Sequence, residues 1–423
     1  MTSDSQHRSI WSRWRPGLLI QNAIALMISS GGTAVIGVVF WAVAAHLSSA
    51  TVVGRTTAEI AAMLLLATLA QLSFGSIFER FLPVAGGFTY DFVKRSYLVC
   101  TGFGLILALG YLALGFGRSF LPSSPVWKLL FVVAVVLWTI FALQDSVLIG
   151  LRASRWVAVE NIAYSAAKLA FLPASIAMSA NDGIFVAWTA PVLLAIIAVT
   201  WYLFRHRIPE HESTSTASEE LPSMRTLIVL ASAQYAALLS NVFLPSIVTL
   251  IVIQRLGPIA NARYYLPSMI ASSLGMFCWG IVRSFLVEAA TEPGALRHHA
   301  NSTIRALLIV LLPSVLLGYI FAPTYLRIFG ASYAAHGTTL MRMLLISLLG
   351  GSVMVFYSAF AWLDQRVWWM TVRNIATSVV YLVVVYALIG HFGINAIGIA
   401  GLVNSGITVV VFLPISIRRY LRT

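Results

Sequence analysis

The sequence has few charged residues and almost no cysteine. Charged residues make up 10% of its 423 positions, against 59% for hydrophobic ones, whereas soluble domains carry about a quarter charged residues. A soluble globular fold is therefore excluded, because this chain has too little polar surface to cover a core. Its two cysteines, Cys100 and Cys278, both lie in apolar runs, which excludes a disulfide framework.

What the chain has instead is a series of long apolar runs. Each is long enough to cross a hydrocarbon core about 30 Å thick. Hydropathy and breaks at Gly, Pro and charged residues predict twelve transmembrane helices, at residues 18–47, 57–83, 96–116, 127–151, 156–179, 183–204, 226–253, 264–287, 304–321, 340–363, 372–389 and 395–417. The first is about twice as long as a cleavable signal core, so we take it as a permanent span.

The net charge of +13 reflects membrane topology. The basic residues are spread over short loops and do not form one polar face, so nucleic acid is not an expected partner. With twelve spans, nineteen Lys and Arg residues fall on the side of the N-terminus and seven on the other, while Lys168 lies inside a span. The positive-inside rule then predicts that both termini are cytoplasmic.

One long polar segment divides the spans into two sets of six. Residues 205–225 are rich in Ser, Thr and Glu, which is typical of a flexible linker. We expect an N-terminal lobe at 1–204, a cytoplasmic linker at 205–225 and a C-terminal lobe at 226–423. A shift of 213 residues superposes seven residues of span five on identical residues of span eleven. The predicted fold is an all-α polytopic membrane protein with about twelve transmembrane helices, in two pseudo-symmetric six-helix lobes around a central cavity.

Motifs for chemistry are missing. The chain has no G-x-x-x-x-G-K-[ST], which excludes a P-loop for ATP. It has no Asp-Asp, Glu-x-Asp or His/Cys cluster typical of a metal or nucleophile site. Its outer loops are about 20 residues or shorter, which leaves little room for a catalytic loop. The sequence predicts a protein that is not an enzyme and needs no cofactor or metal.

Three charged residues interrupt spans four and five. At about 1.5 Å of rise per residue, Asp145 and Glu160 lie about 8 to 10 Å from the 152–155 hairpin, and Lys168 about 20 Å from it. An ammonium at that depth needs water or a partner, so Lys168 is either half of a structural ion pair or a cation that faces the cavity. Asp145 and Glu160 either support helix packing or serve as ion-coupling sites.

Two arginines occupy matching positions in the two lobes. Arg80 and Arg283 lie about one turn inside the cytoplasmic ends of spans two and eight. They are either positive-inside anchors or the two sides of a clamp for an anionic ligand, since guanidinium groups bind phosphate bidentately. Arg55 and Arg263, at the outer ends of the same spans, are weaker candidates because water is available there.

Three stretches of the N-terminal lobe resemble a known family. They are FWAVAAHLSSATVVGR at 40–55, LAQLSFGSIFERFLP at 69–83 and ALQDSVLIGLRASRWVAVENIAYSAAKLAFLP at 142–173. These stretches are similar to the bacterial oligosaccharide flippases, the Wzx-like polysaccharide transporters of the multidrug/oligosaccharidyl-lipid/polysaccharide (MOP) exporter superfamily. In the C-terminal lobe the resemblance is one of general architecture. Unlike drug/cation antiporters of the superfamily, the chain has no acidic residue in its first span.

The resemblance implies a transporter for polyprenyl-diphosphate-linked oligosaccharide, which flips it from the cytoplasmic to the outer leaflet of the bacterial inner membrane for cell-surface polysaccharide biosynthesis. It implies a cavity lined by spans one, two, seven and eight, basic residues that bind the pyrophosphate, and alternating access by rocking of the lobes. The expected partners are the lipid-linked glycan and membrane lipids, for a monomer that works beside glycan-assembly proteins. A multidrug antiporter of the same superfamily is the alternative, and a membrane-embedded glycan polymerase or ligase is a more distant one.

Overall fold

The structure consists of α-helices joined by short turns. It is a computed structural model that describes residues 16–214, 235, 243–291, 296–363 and 367–416; within these ranges it leaves out the side chains of 16–31, 214, 277, 279, 283–291, 296–297, 361–363, 367–371, 412–413 and 415–416. No β-strand occurs in these ranges. Eight of the helices are long and apolar enough to cross a membrane, and two shorter apolar stretches, Gly32–Leu47 and Asn395–Val411, accompany them.

The first half of the chain forms α1 (Pro16–Leu47), α2 (Ala50–Ala70), α3 (Phe74–Phe81), α4 (Thr89–Ala113), α5 (Pro125–Gly150), α6 (Ser154–Met178), α7 (Gly183–Tyr202) and α8 (Ile208–Thr214). Predicted span two is two helices, α2 and α3. Leu72 and Ser73 separate them with φ values of 49° and 62°. Left-handed backbone at two non-glycine residues cannot continue an α-helix, and hydropathy alone gave no sign of this break.

The second half forms α9 (Leu244–Thr291), α10 (Leu296–Ile320), α11 (Ala322–Arg327), α12 (Ala331–Leu363), α13 (Val367–Phe392) and α14 (Asn395–Ser416). Gly257 interrupts α9 with φ 83° and ψ 178°, a conformation that glycine adopts readily and other residues do not. We call residues 244–256 α9a and residues 258–291 α9b. They correspond to predicted spans seven and eight, although most of 226–242 lies outside the described residues.

The two halves share one helix plan. Under a shift of 213 residues, the ends of α6 and α7 coincide with those of α13 and α14 to within one residue, and α5 ends where α12 ends. Within these three pairs of helices, only the start of α12 differs, by about two turns. The predicted fold class is confirmed: the chain is an all-α polytopic membrane protein built from two similar sets of helices.

The first part of the predicted flexible linker is helical. α7 continues through one π-type turn, Leu203–Arg207, into α8. Arg207 donates to the carbonyl oxygen of Leu151 at 2.7 Å, and the His211 ring contacts the carbonyl oxygen of Leu82 at 3.0 Å. Composition did not indicate this helix at residues 205–214, because it does not register single side chains that bind helix ends. The lobe boundary itself stays a prediction.

The two halves meet mainly through α2 and α9. A shared hydrophobic cluster joins Trp41 of α1 and Val53 of α2 to Ile253, Ala262 and Leu266 of α9. The opposite faces of the bundle are apolar and exposed, as at Ile106 of α4 and Ile309 of α10. Such faces suit contact with lipid tails, so the polar chemistry of the molecule is concentrated between the helices.

Candidate functional site

Lys168 lies in a cage of three aromatic rings. Its side chain is 5% exposed, and its Nζ lies 3.8 Å from the ring centroid of Trp188 on α7, 4.9 Å from that of Tyr164 on α6 and 5.5 Å from that of Phe40 on α1. No ion pair joins Lys168 to an acid among the described residues. Cation–π attraction, and not a described carboxylate, therefore offsets part of the cost of burying the ammonium.

The cage is continuous with the contact between the halves. Trp41 packs on two of the neighbouring rings, with centroids 5.4 Å from Phe40 and 5.8 Å from Trp188. On its other side, its ring centroid lies 5.1 Å from that of Tyr265 on α9b. A movement of α9b relative to α1 would therefore change the packing around Lys168.

Asp145 and Glu160 lie close together on α5 and α6, in different environments. Asn161 Nδ2 donates to the two carboxylate oxygens of Asp145 at 3.2 and 3.3 Å. Glu160 is 5% exposed, and neither of its carboxylate oxygens has a hydrogen-bond partner among the described residues. An ionised carboxylate in such a place is costly. Of the two predicted ion-coupling residues, Glu160 is therefore the better placed to take up a proton or a cation.

The equivalent position in the second half has the opposite charge. Residues 213 positions after Asp145, Glu160 and Asn161 are Ser358, Arg373 and Asn374. Arg373 is buried and donates to Ser358 Oγ at 3.1 Å and to Asn374 Oδ1 at 2.7 Å. The two halves thus carry the same arrangement of polar positions, acidic in the first and basic in the second.

Arg55 is held inside the first half. Its Nη2 donates to Asp182 Oδ1 and to the carbonyl oxygen of Asn181, both at 2.7 Å, and its Nε lies 3.5 Å from Glu59 Oε1. Glu59 is 2% exposed. These contacts join the start of α2 to the turn between α6 and α7, so in this conformation Arg55 binds two acids of its own half.

The remaining predicted arginines are dispersed. Arg80 is exposed near the end of α3, with its guanidinium 5.4 Å from the Phe81 ring centroid. The side chain of Arg283, on α9b, lies outside the description, so the clamp formed by these two arginines stays a prediction. Arg263 donates to Ser332 Oγ at 3.0 Å and lines a separate cavity in the second half.

The two halves contact each other closely at the end of the bundle that holds the α1–α2 turn and Gly257. This end is predicted to face outward and is called the outer end below, and the contact between the halves there is called the outer seal. Asn261 Nδ2 donates to the Gly54 carbonyl oxygen at 2.8 Å and to Thr57 Oγ1 at 3.0 Å, and all three groups are buried. A Cβ on Gly54 would lie 1.7 Å from the carbonyl oxygen of Pro258. Only glycine allows this approach, which closes the outer end.

Sequence reasoning missed Glu59, Asp182 and the aromatic cage. Glu59 lies inside predicted span two, so a complete survey of intramembrane acids would have found it. The cage had no such signal. Its rings come from three separate helices, and aromatic residues are common throughout a membrane protein.

Solved transporters share this fold. No protein-family model matches the chain, and no curated protein matches it. A multidrug resistance MATE family transporter of the MOP superfamily in an outward-facing conformation matches with a TM-score of 0.66 and 14% identity, over 96% of both chains. An inward-facing multidrug resistance MATE family transporter of the MOP superfamily matches with a TM-score of 0.63 and 15% identity, over 90% of this chain and 94% of the transporter chain. A MOP superfamily transporter from Pyrococcus furiosus matches with a TM-score of 0.63 and 14% identity, over 96% of both chains.

Proposed function

We propose that this chain is a transporter that works by alternating access and moves polyprenyl-diphosphate-linked oligosaccharide from the cytoplasmic to the outer leaflet of the bacterial inner membrane. The fold that it shares with MATE and MOP superfamily transporters supports transport over enzymatic activity. The sequence resemblance to oligosaccharide flippases supports the substrate class.

The observation that carries the substrate class is the charge of the second half. Residues 244–416 contain nine arginines and only three acids, Glu288, Glu292 and Asp364. All three acids lie at the predicted cytoplasmic end. Five of the nine arginines also lie at that end, where the positive-inside rule accounts for them. The other four, at 255, 263, 327 and 342, lie on the predicted outer side, where residues 244–416 have no acid, and a positive excess there favours a diphosphate over a cationic drug.

Alternating access requires the outer seal to open. The hydrogen bonds of Asn261 and the approach of Pro258 to Gly54 must break for a substrate to leave on that side. The Trp41–Tyr265 contact then parts as well, and the cage of Lys168 loses its support from α9b. Release of the substrate is thereby coupled to the surroundings of a buried cation.

A multidrug antiporter is the second candidate, because the first half contains aromatic rings and buried acids that suit a cationic drug. Trp41, Trp138 and Trp188 pack together there with Phe40 and Tyr164, and flat apolar cations bind such rings. Glu59 and Glu160 are buried acids that suit proton coupling. An antiporter of this kind would confer drug resistance, and its activity would not depend on arginines of the second half.

The test uses cells depleted of the native gene that carry each variant at matched protein level. Arg80→Ala and Arg283→Ala should each reduce surface glycan and raise lipid-linked precursor in the inner leaflet, while lysine at either position should rescue in part, because it keeps the charge without the fork geometry. Arg118→Ala, at an exposed arginine of the outer end, is the matched control. If both alanine variants restore export fully, the clamp is wrong. If cells that carry the unaltered chain make no surface glycan but become more resistant to drugs, a multidrug antiporter is the better assignment.

A further inference from the structure

The helix α2 is shared between the two halves. It packs more extensively on α9, which belongs to the second half, than on any helix of its own half. Its outer turns carry the outer seal, because the Gly54 carbonyl oxygen and Thr57 Oγ1 both accept hydrogen bonds from Asn261. When the outer end opens, α2 must therefore either leave α9 or leave the rest of its own half. Only the first of these movements opens a path between the halves.

The inner end of α2 is held by its own half. Its last residue is Ala70, and a Cβ added to Gly104 of α4 would lie 3.2 Å from the Ala70 Cβ. Directly after it, Cys100 Sγ of α4 donates to the carbonyl oxygen of Gln71 at 3.5 Å. The close approach of α4 therefore keeps this end of α2 with the first half.

At the outer end of α2, Arg55 makes the corresponding link. The turn formed by Ser48 and Ser49 joins α2 to α1, but α1 packs mainly on α6 and makes few contacts with α2. Arg55 Nη2 donates to Asp182 Oδ1 and to the carbonyl oxygen of Asn181, both at 2.7 Å. Both acceptors lie in the turn between α6 and α7. Arg55 thus ties the outer turn of α2 to a part of the first half that α2 otherwise touches little.

The Arg55–Asp182 pair is well placed to resist separation. The side chain of Asp182 is 12% exposed and that of Arg55 is 27% exposed. Glu59, which is buried one turn further along α2, adds a second acid, with its Oε1 3.5 Å from Arg55 Nε. Charge-assisted hydrogen bonds are stronger than neutral ones, and salt screens partly buried pairs less than exposed ones. Pulling the outer end of α2 away from the α6–α7 turn would break these contacts.

We infer that the Arg55–Asp182 ion pair is a positioning device for transport: it anchors the outer turn of α2 to the first half, so that α2 leaves α9 when the outer seal opens. Arg55 then acts through α2 and does not itself bind the substrate, as the sequence alone suggested. The inference rests on the alternating access proposed above, and it does not depend on which substrate is moved.

The first experiment follows the opening of the outer seal by cysteine labelling. Ala58→Cys is introduced into a protein without Cys100 and Cys278, and a membrane-impermeant maleimide is added from outside. Ala58 lies one turn from Gly54 on the same face of α2, and it is 0% exposed in the cluster shared with α9. The reagent therefore reaches this position when α2 parts from α9.

Loss of the anchor should slow this labelling. Arg55→Gln and Asp182→Ala should each reduce the rate about fivefold or more, the population shift expected from losing one partly exposed ion pair, because α2 then stays on α9. A variant that merely loosened the fold would be labelled faster. Arg118→Gln, at an exposed arginine of the outer end, is the matched control and should leave the rate unchanged.

A charge swap tests the pair itself. Arg55→Asp combined with Asp182→Arg should restore labelling in part, because the pair forms again in the opposite sense while Glu59 then lies beside a second carboxylate. Either change alone should not restore it. A monodisperse gel-filtration profile checks the fold of each variant.

The export of surface glycan separates anchoring from substrate binding. Asp182→Ala leaves Arg55 in place and frees it from its main partner, so export should fall if Arg55 is an anchor, and should persist or rise if Arg55 binds the substrate. The second result would overturn the inference, as would labelling of both single variants at the rate of the parent or faster. A parent protein that is never labelled would contradict alternating access, on which the inference rests. The expected labelling pattern in a protein that exports no glycan would support the anchor and reject only the proposed substrate.

Discussion

Replacing Lys168 with methionine tests whether its aromatic cage, and not an acid partner, stabilises it within the membrane. Methionine is one atom shorter than lysine, keeps most of its apolar stem and removes its charge. A desolvated cation–π contact contributes about 2 kcal/mol, and the nearest ring, Trp188 at 3.8 Å, should account for most of it. Removing the charge also removes a desolvation cost of about 2.5 to 3.5 kcal/mol. These effects oppose each other and the second is the larger, so the variant should keep its unfolding free energy or gain about 1 kcal/mol, while transport falls strongly.

The measurement is unfolding of the purified protein in mixed detergent micelles. Trp188→Leu is the matched change on the other side of the contact, but it also removes packing against Trp41 and Trp138. A double-mutant cycle separates the two effects, and we expect a coupling free energy of about 1 to 2 kcal/mol between positions 168 and 188.

A large loss of unfolding free energy would refute this reasoning. Breaking a buried ion pair typically costs about 3 to 5 kcal/mol, because the remaining charge is left without compensation. A loss of that size in Lys168→Met, with coupling near zero to Trp188→Leu, would mean that an acid outside the described residues holds the lysine. Normal transport per molecule would contradict its functional role.

Three further predictions concern the seal, the buried acid and the topology. Gly54→Leu should prevent closure of the outer end and leave a cysteine placed near residue 54 permanently accessible to labelling from outside; accessibility equal to that of the parent protein would show that this approach is not needed for closure. Glu160→Gln should change the unfolding free energy by less than about 1 kcal/mol, because it replaces an unpartnered buried carboxyl group with a neutral amide of the same size. It should abolish any stimulation of transport by a pH gradient; persistent stimulation would assign coupling to another acid. Cysteine labelling should place Ser215 in the cytoplasm and Pro122 outside, and an outside location for Ser215 would contradict the two-lobe topology.

The helix plan was predictable because apolar length is a strong signal. Predicted spans four to six end within a few residues of α5, α6 and α7, as spans eleven and twelve do for α13 and α14. Local backbone geometry was not predictable in this way. The break at Leu72 and Ser73 depends on two left-handed residues inside an apolar run, and the α9 turn depends on the φ value of Gly257.

The candidate site was predictable only as single charges. Depth along a helix placed Lys168 deep in the membrane and Asp145 and Glu160 nearer the interface; in the structure Lys168 and Glu160 are buried and Asp145 is half-buried. The partners of these residues come from other helices, so spacing in the sequence could not pair Lys168 with Trp188 or Arg55 with Asp182. The internal shift of 213 residues did give one long-range relation, between Glu160 and Arg373, which occupy equivalent positions on α6 and α13.

The central claim is that the protein moves an anionic, diphosphate-linked glycolipid between leaflets. The most direct measurement uses proteoliposomes that contain a fluorescent polyprenyl-diphosphate oligosaccharide, with a membrane-impermeant quencher that reports how much label is in the exposed leaflet. We predict that the protein speeds exchange between leaflets relative to empty liposomes, and that Gly54→Leu and Lys168→Met, reconstituted in equal amounts, do not. Exchange no faster than in empty liposomes, together with uptake of a cationic drug by the same vesicles, would contradict the account.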